Sequence, residues 1–318
     1  MKMKNMIWVI LFSILLVSLA GCAAAPKGDA GSQPSGQDSG GQTSDHAGQT
    51  SDADILSKFY EMQAIREILA LHENVAENAV FYNPRGEEIL SVYQYVDSET
   101  WVREDSNSSV DIQYQDSYYY YDPAESDKIQ VFLGMEGVAE TEWENRINNS
   151  FEFTPTEGEK LTEVIEVDGR LALTIVAEAK EEELPWWEEP IEPGTQTVFK
   201  IEVDSETYMP YDGEAYLKKP DGTELELGEH HFSYDVAAYE PSEEILQVMS
   251  GTDNTITVVA DPGTEREKTY VKSCGENGRL RVWFADGYEK LYLDEACTQE
   301  STPSDENVER TLYTVKQP

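Results

Sequence analysis

Three cysteines, four histidines and 63 carboxylates are the groups of this 318-residue chain best able to carry chemistry, and their spacing excludes most of it. No Gly-x-Ser-x-Gly elbow, His-Glu-x-x-His, Cys-x-x-Cys, phosphate loop or EF-hand loop occurs, so nucleophilic, metal, redox-pair and phosphoryl chemistry lack their frames. The acids offer so many pairs for glycoside hydrolysis that none is singled out. His46 lies in a polar stretch, and His72 follows a helical stripe, where it suits the negative end of a helix. His230 and His231 are adjacent in a strand pattern, so they point to opposite faces and make a poor metal pair. The chain therefore reads as a non-enzyme with no catalytic residue, no metal and no cofactor. The thiols are more telling. Cys274 and Cys297 form an even pair that could close a disulfide or remain two separate thiols. Cys22 stands alone behind an apolar leader, where a thiol can be acylated.

Lys2 and Lys4 precede the apolar run Met6 to Leu19, broken only by Ser13 and Ser18. The run is short for a ~30 Å hydrocarbon core and is followed by small residues, as in a cleaved secretory signal. Leu19-Ala20-Gly21-Cys22 resembles the bacterial lipoprotein lipobox, which implies cleavage before Cys22 and acylation of its thiol and new amino group. At ~0.8 kcal/mol per buried CH₂, two or three acyl chains make a permanent anchor. Residues 1–21 are then a signal peptide, and residues 22–52 a lipidated cysteine with a tether. Positions 26–51 hold six Gly, five Ser and four Gln and no apolar side chain larger than Ala. Such a segment stays disordered, with a root-mean-square reach of about 28 Å. The implied location is the outer face of the cell membrane. With 23 Lys and Arg against 63 acids, a charge of −40, nucleic acid is excluded as a partner, as is electrostatic docking on anionic lipid.

The elements behind the tether change period once. Ile55, Phe59, Met62, Ile65 and Leu69 recur at helical spacing and predict one helix over 53–72. From Ala79 onward the period is two, with turns at Asn83-Pro84-Arg85-Gly86, Asp168-Gly169, Asp204-Ser205-Glu206-Thr207 and Pro220-Asp221-Gly222-Thr223. A helix followed by a meander predicts an α+β fold over 53–240, a curved antiparallel sheet covered by the N-terminal helix. Residues 241–318 read as a small C-terminal β module, opened by a short helix after Pro241-Ser242. Trp186 and Trp187, set between prolines, are candidates for a hydrophobic ligand or partner contact, or for a connecting loop capping the sheet. In Tyr118 to Tyr121 alternate rings face opposite sides, so that one pair could line a cavity; Tyr119 and Tyr121 are the candidates.

Helix, meander, and the run Val203-Asp204-Ser205-Glu206-Thr207-Tyr208-Met209-Pro210 leading to Asp221-Gly222 together resemble the LolA/LppX-like lipoprotein carriers over residues 53–240. The resemblance implies a half-barrel with helices as a lid over an apolar cavity that binds acyl chains. The tail, through Gly287-Tyr288 and Asp294-Glu295-Ala296-Cys297-Thr298, is similar to a β module of Firmicute surface proteins, the Listeria–Bacteroides repeat. The anchor at Cys22 departs from the soluble shuttling carriers and fits an anchored binder. Two readings follow: a lipid or acyl-chain binder, or a protein-interaction or sensory ectodomain that meets an envelope partner through its acidic and aromatic surface. Mass analysis of the native chain is expected to read an amino terminus at Cys22 with added acyl mass. A chain beginning at Met1, or unacylated, would remove the anchor.

Overall fold

The computed structural model describes residues 52–61, 65–114, 117–134, 158–181, 184, 186–187, 189–284, 287–288, 290–301 and 310–316. The leader, Cys22 and the tether lie outside the described residues. The stripe expected as one helix is found as α1 (Asp52–Glu61) and α2 (Ile65–Leu69), with residues 62–64 outside the described set. Asp52 and Asp54 sit in the first turn of α1, where carboxylates meet the positive end of the helix. The last turn closes at His72, whose N–H donates to the Ile68 carbonyl at 3.1 Å.

The strands are β1 (Val75–Tyr82), β2 (Glu88–Val96), β3 (Thr100–Asp105), β4 (Val110–Tyr114), β5 (Ser117–Tyr121) and β6 (Ile129–Gly134). They continue as β7 (Lys160–Val167), β8 (Arg170–Glu178), β9 (Gln196–Asp204), β10 (Pro210–Lys218) and β11 (Glu224–Tyr234). Then come α3 (Glu243–Ser250), β12 (Asn254–Ala260), β13 (Lys268–Cys274), β14 (Gly278–Trp283) and β15 (Arg310–Thr314). Twelve of them form one open sheet in the order β14-β6-β5-β4-β3-β2-β1-β11-β10-β9-β8-β7, antiparallel except where β14 runs parallel to β6. The other three form a small sheet in the order β13-β12-β15.

Local chemistry explains the meander. Asp168 and Gly169 both take positive φ, 52° and 82°, as a two-residue hairpin turn between β7 and β8 requires. The Asp204 carboxylate accepts from the N–H groups of Glu206 (3.0 Å) and Thr207 (2.7 Å) and so shapes the β9–β10 turn. Register shifts at Phe81/Tyr82, Leu161/Glu163, Pro210/Asp212 and Ala215/Tyr216 mark bulges, which bend strands and curve the sheet. At the last of these a Cβ on Gly228 would lie 2.6 Å from the Val80 carbonyl oxygen, so only glycine lets β11 approach β1 there.

The two faces of the sheet are buried differently. On the face we call inner, Ile55 and Phe59 of α1 pack on Leu171, Leu173, Ile201 and Val203. Ile65 and Ile68 of α2 pack on Val75, Val96, Trp101 and Met209. On the outer face of β1–β6 and β14 a single register row runs Ala76, Tyr95, Val102, Ile112, Tyr119, Val131, Leu280. That row shares one core with Ile245 and Val248 of α3, Ile256 and Val258 of β12, and Leu312 of β15. The described C-terminal residues thus have no core of their own: they form the second layer of the main fold and give it an edge strand. Over β8–β11 the outer face instead carries exposed Lys200, Glu202, Asp212, Glu214, Glu229 and His231.

Cys274 and Cys297 are both free in this structure, with no bridge between them. Cys274 is fully buried at the end of β13, whereas Cys297 sits half-exposed in the loop shaped by Asp294. Burial pushes both thiols up, with Asp294 and Asp261 adding to the effect at Cys297. Titration with an aromatic disulfide reagent is therefore expected to label Cys297 in the native chain, slowly, and Cys274 only after unfolding. Absence of any titratable thiol in the unfolded, unreduced chain would show that the bridge forms.

Candidate functional site

Alternation along the strands sends two neighbouring rows of side chains to the inner face of β1–β6 and β14. The first row runs Val75, Val96, Trp101, Gln113, Tyr118, Phe132 and ends at Arg281. Apart from Gln113 and Arg281 it is apolar or aromatic. Trp283, two residues beyond Arg281 and on the same face, stacks on Tyr118 (4.6 Å between centroids, 22°) and tilts against Phe132 (4.8 Å). The second row runs Glu77, Gln94, Arg103, Asp111, Tyr120, Gln130 and Arg279. Every member of it can donate or accept a hydrogen bond. The inner face is thus a greasy strip lying against a polar one.

The polar strip is anchored at its β1 end. The Glu77 side chain, only 7% exposed, meets His230 Nδ1 at 2.6 Å, and its other oxygen accepts from the Gln94 amide at 3.1 Å. Two further hydrogen-bonding groups thus hold a buried carboxylate that would otherwise be costly. The imidazole is fixed by rings: Phe81 abuts it edge-on at 5.8 Å, and Phe232 lies nearly parallel at 6.4 Å. His231, the next residue, points outward and meets Asp212 at 2.6 Å in the open, as alternation expects. At the other end of the strip Arg281 Nε donates to Gln130 Oε1 at 3.3 Å. Tyr118 donates to Asp111, and burial together with Glu125, Asp122 and Asp111 holds the half-buried Tyr120 phenol protonated.

The candidates read from the sequence fall in separate places. Tyr119 and Tyr121 point to the outer face and join the core beneath the C-terminal layer, while Tyr118 and Tyr120 take the inner face. None of the four meets solvent freely, because the sheet is covered on both sides at β5. Trp186 and Trp187 are half-buried against Leu184, Leu217, Leu227 and Ile191, and Trp186 meets Phe81 edge-on at 5.8 Å. They cap the inner face at one end of the sheet, the connecting-loop role, and form no free aromatic patch. His72 pairs with Asp235 at 2.7 Å and stacks on Tyr234 at 4.7 Å. An open depression of about 510 Å³ lies there, lined by Ala70, Leu71, His72, Glu73 and Asp235. Among the described residues no group of three or more His, Cys, Asp or Glu converges on a point where a metal could sit. Glu77 was one acid among 63 in the sequence, and Arg279 and Arg281 were visible only as the polar half of the alternation Arg-Leu-Arg-Val-Trp.

No family model matches the chain, and no curated protein matches it in sequence. Solved structures similar to it include a LolA superfamily protein from Nitrosomonas europaea, at 13% identity and TM-score 0.24, covering 61% of this chain and 96% of that one. MucB in complex with MucA(peri) is similar at 14% identity and TM-score 0.23, covering 70% and 74%. The Mycobacterium tuberculosis lipoprotein LppX is similar at 10% identity and TM-score 0.28, covering 59% and 99%. Similarity at this level says nothing of function. Glu77→Ala removes the acceptor that His230 and Gln94 share, and is expected to cost about 1–3 kcal/mol of unfolding free energy, read from urea denaturation. An unchanged midpoint would mean that the pair contributes nothing to stability.

Proposed function

We propose that this chain is a membrane-anchored, non-enzymatic extracytoplasmic lipoprotein that holds the acyl chain of a lipid or lipoprotein on the inner face of its curved sheet. The observation that carries the reading is the strip Val75, Val96, Trp101, Tyr118, Phe132, extended by Trp283, which lies against a short set of polar groups and is covered in this structure by α2. Sites for apolar ligands have this make-up, a mostly apolar and aromatic wall with a few placed polar groups. Lipidation at Cys22, read from Leu19-Ala20-Gly21-Cys22, supplies the anchor, and the tether leaves the folded part about 28 Å of reach from the membrane surface. The docking patch that an interaction ectodomain would use is weakened as a rival, since Trp186 and Trp187 are packed into the fold.

Delipidated full-length protein is expected to take up a fluorescent fatty acid saturably. Phe132→Glu, which sets a carboxylate in the strip at a half-buried position, is expected to weaken uptake tenfold or more, about 1.4 kcal/mol or more. Circular dichroism checks that the variant remains folded. No saturable uptake by the delipidated wild type would overturn the reading.

A further inference from the structure

The sheet β13-β12-β15 buries one side and shows the other. Ile256, Val258 and Leu312 point into the core shared with the main sheet, so by alternation the residues between them point to solvent. Register sorts those residues into rows. One row runs Thr269, Val259, Tyr313. Tyr292 extends it, because Tyr292 and Tyr313 exchange both backbone hydrogen bonds (2.7 and 2.9 Å) and so share a face. The next row is Val271, Thr257, Thr311, and beyond it Thr255 and Ser273 bond each other at 2.9 Å. Thr269, Val271 and Thr311 are exposed, Val271 by 59%. The two tyrosines are half-buried and stand outside the core that holds Tyr270 and Tyr288.

No Asp, Glu, Lys or Arg stands in these rows, in a chain with 63 acids and 23 basic residues. Over β8–β11 the same protein keeps its open sheet charged, with Lys200, Glu202, Asp212 and Glu214 exposed. Charge on an open sheet opposes sticking, so its omission marks a surface made for contact. Four chains ~4.8 Å apart and about five residues of ~3.3 Å give the face about 300 Å², well short of the ~800 Å² per partner of a stable protein interface. A second copy would be held weakly there, against the repulsion of two chains of charge −40, and a polyanion would meet the same repulsion. What the face presents is methyl groups, hydroxyls that both donate and accept, and two adjacent phenol rings. An uncharged sugar chain has the complementary make-up. Its hydroxyls ring each unit, and the C–H bonds on the flat of each unit suit the negative face of an aromatic ring.

We propose that the solvent face of the β13-β12-β15 sheet binds an extended, uncharged β-linked glycan. Successive sugars lie over Tyr313 and Tyr292, whose backbones are ~5.5 Å apart, about one sugar unit, and sugar hydroxyls exchange hydrogen bonds with Thr311, Thr257 and Thr269. A β-1,4-linked chain is flat and extended, as the sheet is. This face lies on the far side of the C-terminal layer from the inner face, so the inference stands apart from the acyl-binding reading.

The test titrates the full-length protein, by calorimetry, with the β-1,4-linked hexamers of glucose and of N-acetylglucosamine, and with a hexamer of galacturonic acid as the charged comparison. Saturable binding of at least one uncharged hexamer is expected, weakened about fivefold or more in Tyr313→Ala and in Tyr292→Ala. Thr311→Arg, at an exposed position, is expected to block the face to a similar extent with an unchanged urea midpoint, which separates loss of the site from loss of the fold. The galacturonate hexamer is expected to bind at least tenfold more weakly than the uncharged one. Binding of neither uncharged hexamer overturns the inference. Equal affinity in the wild type and all three variants overturns it as well, because the sugar would then sit elsewhere. Equal or tighter binding of the galacturonate hexamer overturns the preference for an uncharged chain. A dimer seen in sedimentation and abolished by Thr311→Arg, with no glycan bound, gives the face to a second copy and overturns the glycan.

Discussion

With almost three acids for every base, this fold has to satisfy carboxylates without cations. It does so with phenols and backbone amides. Tyrosine hydroxyls donate to Asp97 from Tyr95 (2.9 Å), to Glu104 from Tyr239 (2.8 Å), to Asp261 from Tyr288 (2.8 Å), and to Asp111 and Glu159 from Tyr118 and Tyr60. A neutral O–H partner stabilises an anion without needing a counter-charge, and it stays protonated because burial and the adjacent carboxylate both disfavour phenolate. Tyr95 is pushed up to about 12 for these reasons. Other acids cap turns: Asp97, Asp105 and Asp204, each beside a strand end, and Asp294, in the loop between β14 and β15, each accept two backbone N–H groups. The acid excess is thereby converted from a source of repulsion into turn structure, and the abundant tyrosine has a purpose beyond filling volume.

That economy also explains why the inner face is distinctive. Where phenols and turns absorb the acids, few carboxylates reach the wall of the sheet, and those that do are held by named donors. The remaining side chains there can be greasy or cationic. The two layers on opposite sides then divide the labour: α3, β12 and β15 bury the outer side of β1–β6, which frees the inner side to be shaped by the short helices α1 and α2. A long twisted sheet left bare on either side would be prone to association, and the charged outer surface of β8–β11 protects the rest.

How much could be read from the sequence follows from what periodicity encodes. The meander and its turns were legible, because Asp168-Gly169 and Asp204 to Thr207 fix hairpins locally. Opposite placement of His230 and His231 was legible for the same reason. Which member of an alternating run faces which layer was not: choosing between the Tyr119 and Tyr118 pairs needs the knowledge that α3 covers one side and α2 the other. The polar strip was hidden more deeply, since Glu77, Gln94, Arg103 and Arg279 become neighbours only through strand register. The C-terminal residues read as a module because their short strands are locally self-consistent, and nothing local reveals that β14 pairs with β6. For Trp186 and Trp187 the sequence left two roles open, a ligand or partner contact and a loop capping the sheet, because the residues they pack on, Leu217 and Leu227, come from distant strands.

The parallel pairing that sets Gly278 beside Ile129 has a consequence for how the chain comes to be folded. Joining segments so far apart carries a large loop-closure penalty before any contact rewards it, and β1 likewise waits for β11. Assembly of the sheet must therefore trail synthesis until most of the polypeptide is available. Until then the meander can close its local hairpins, while the sheet keeps two open edges, at β1 and at β6.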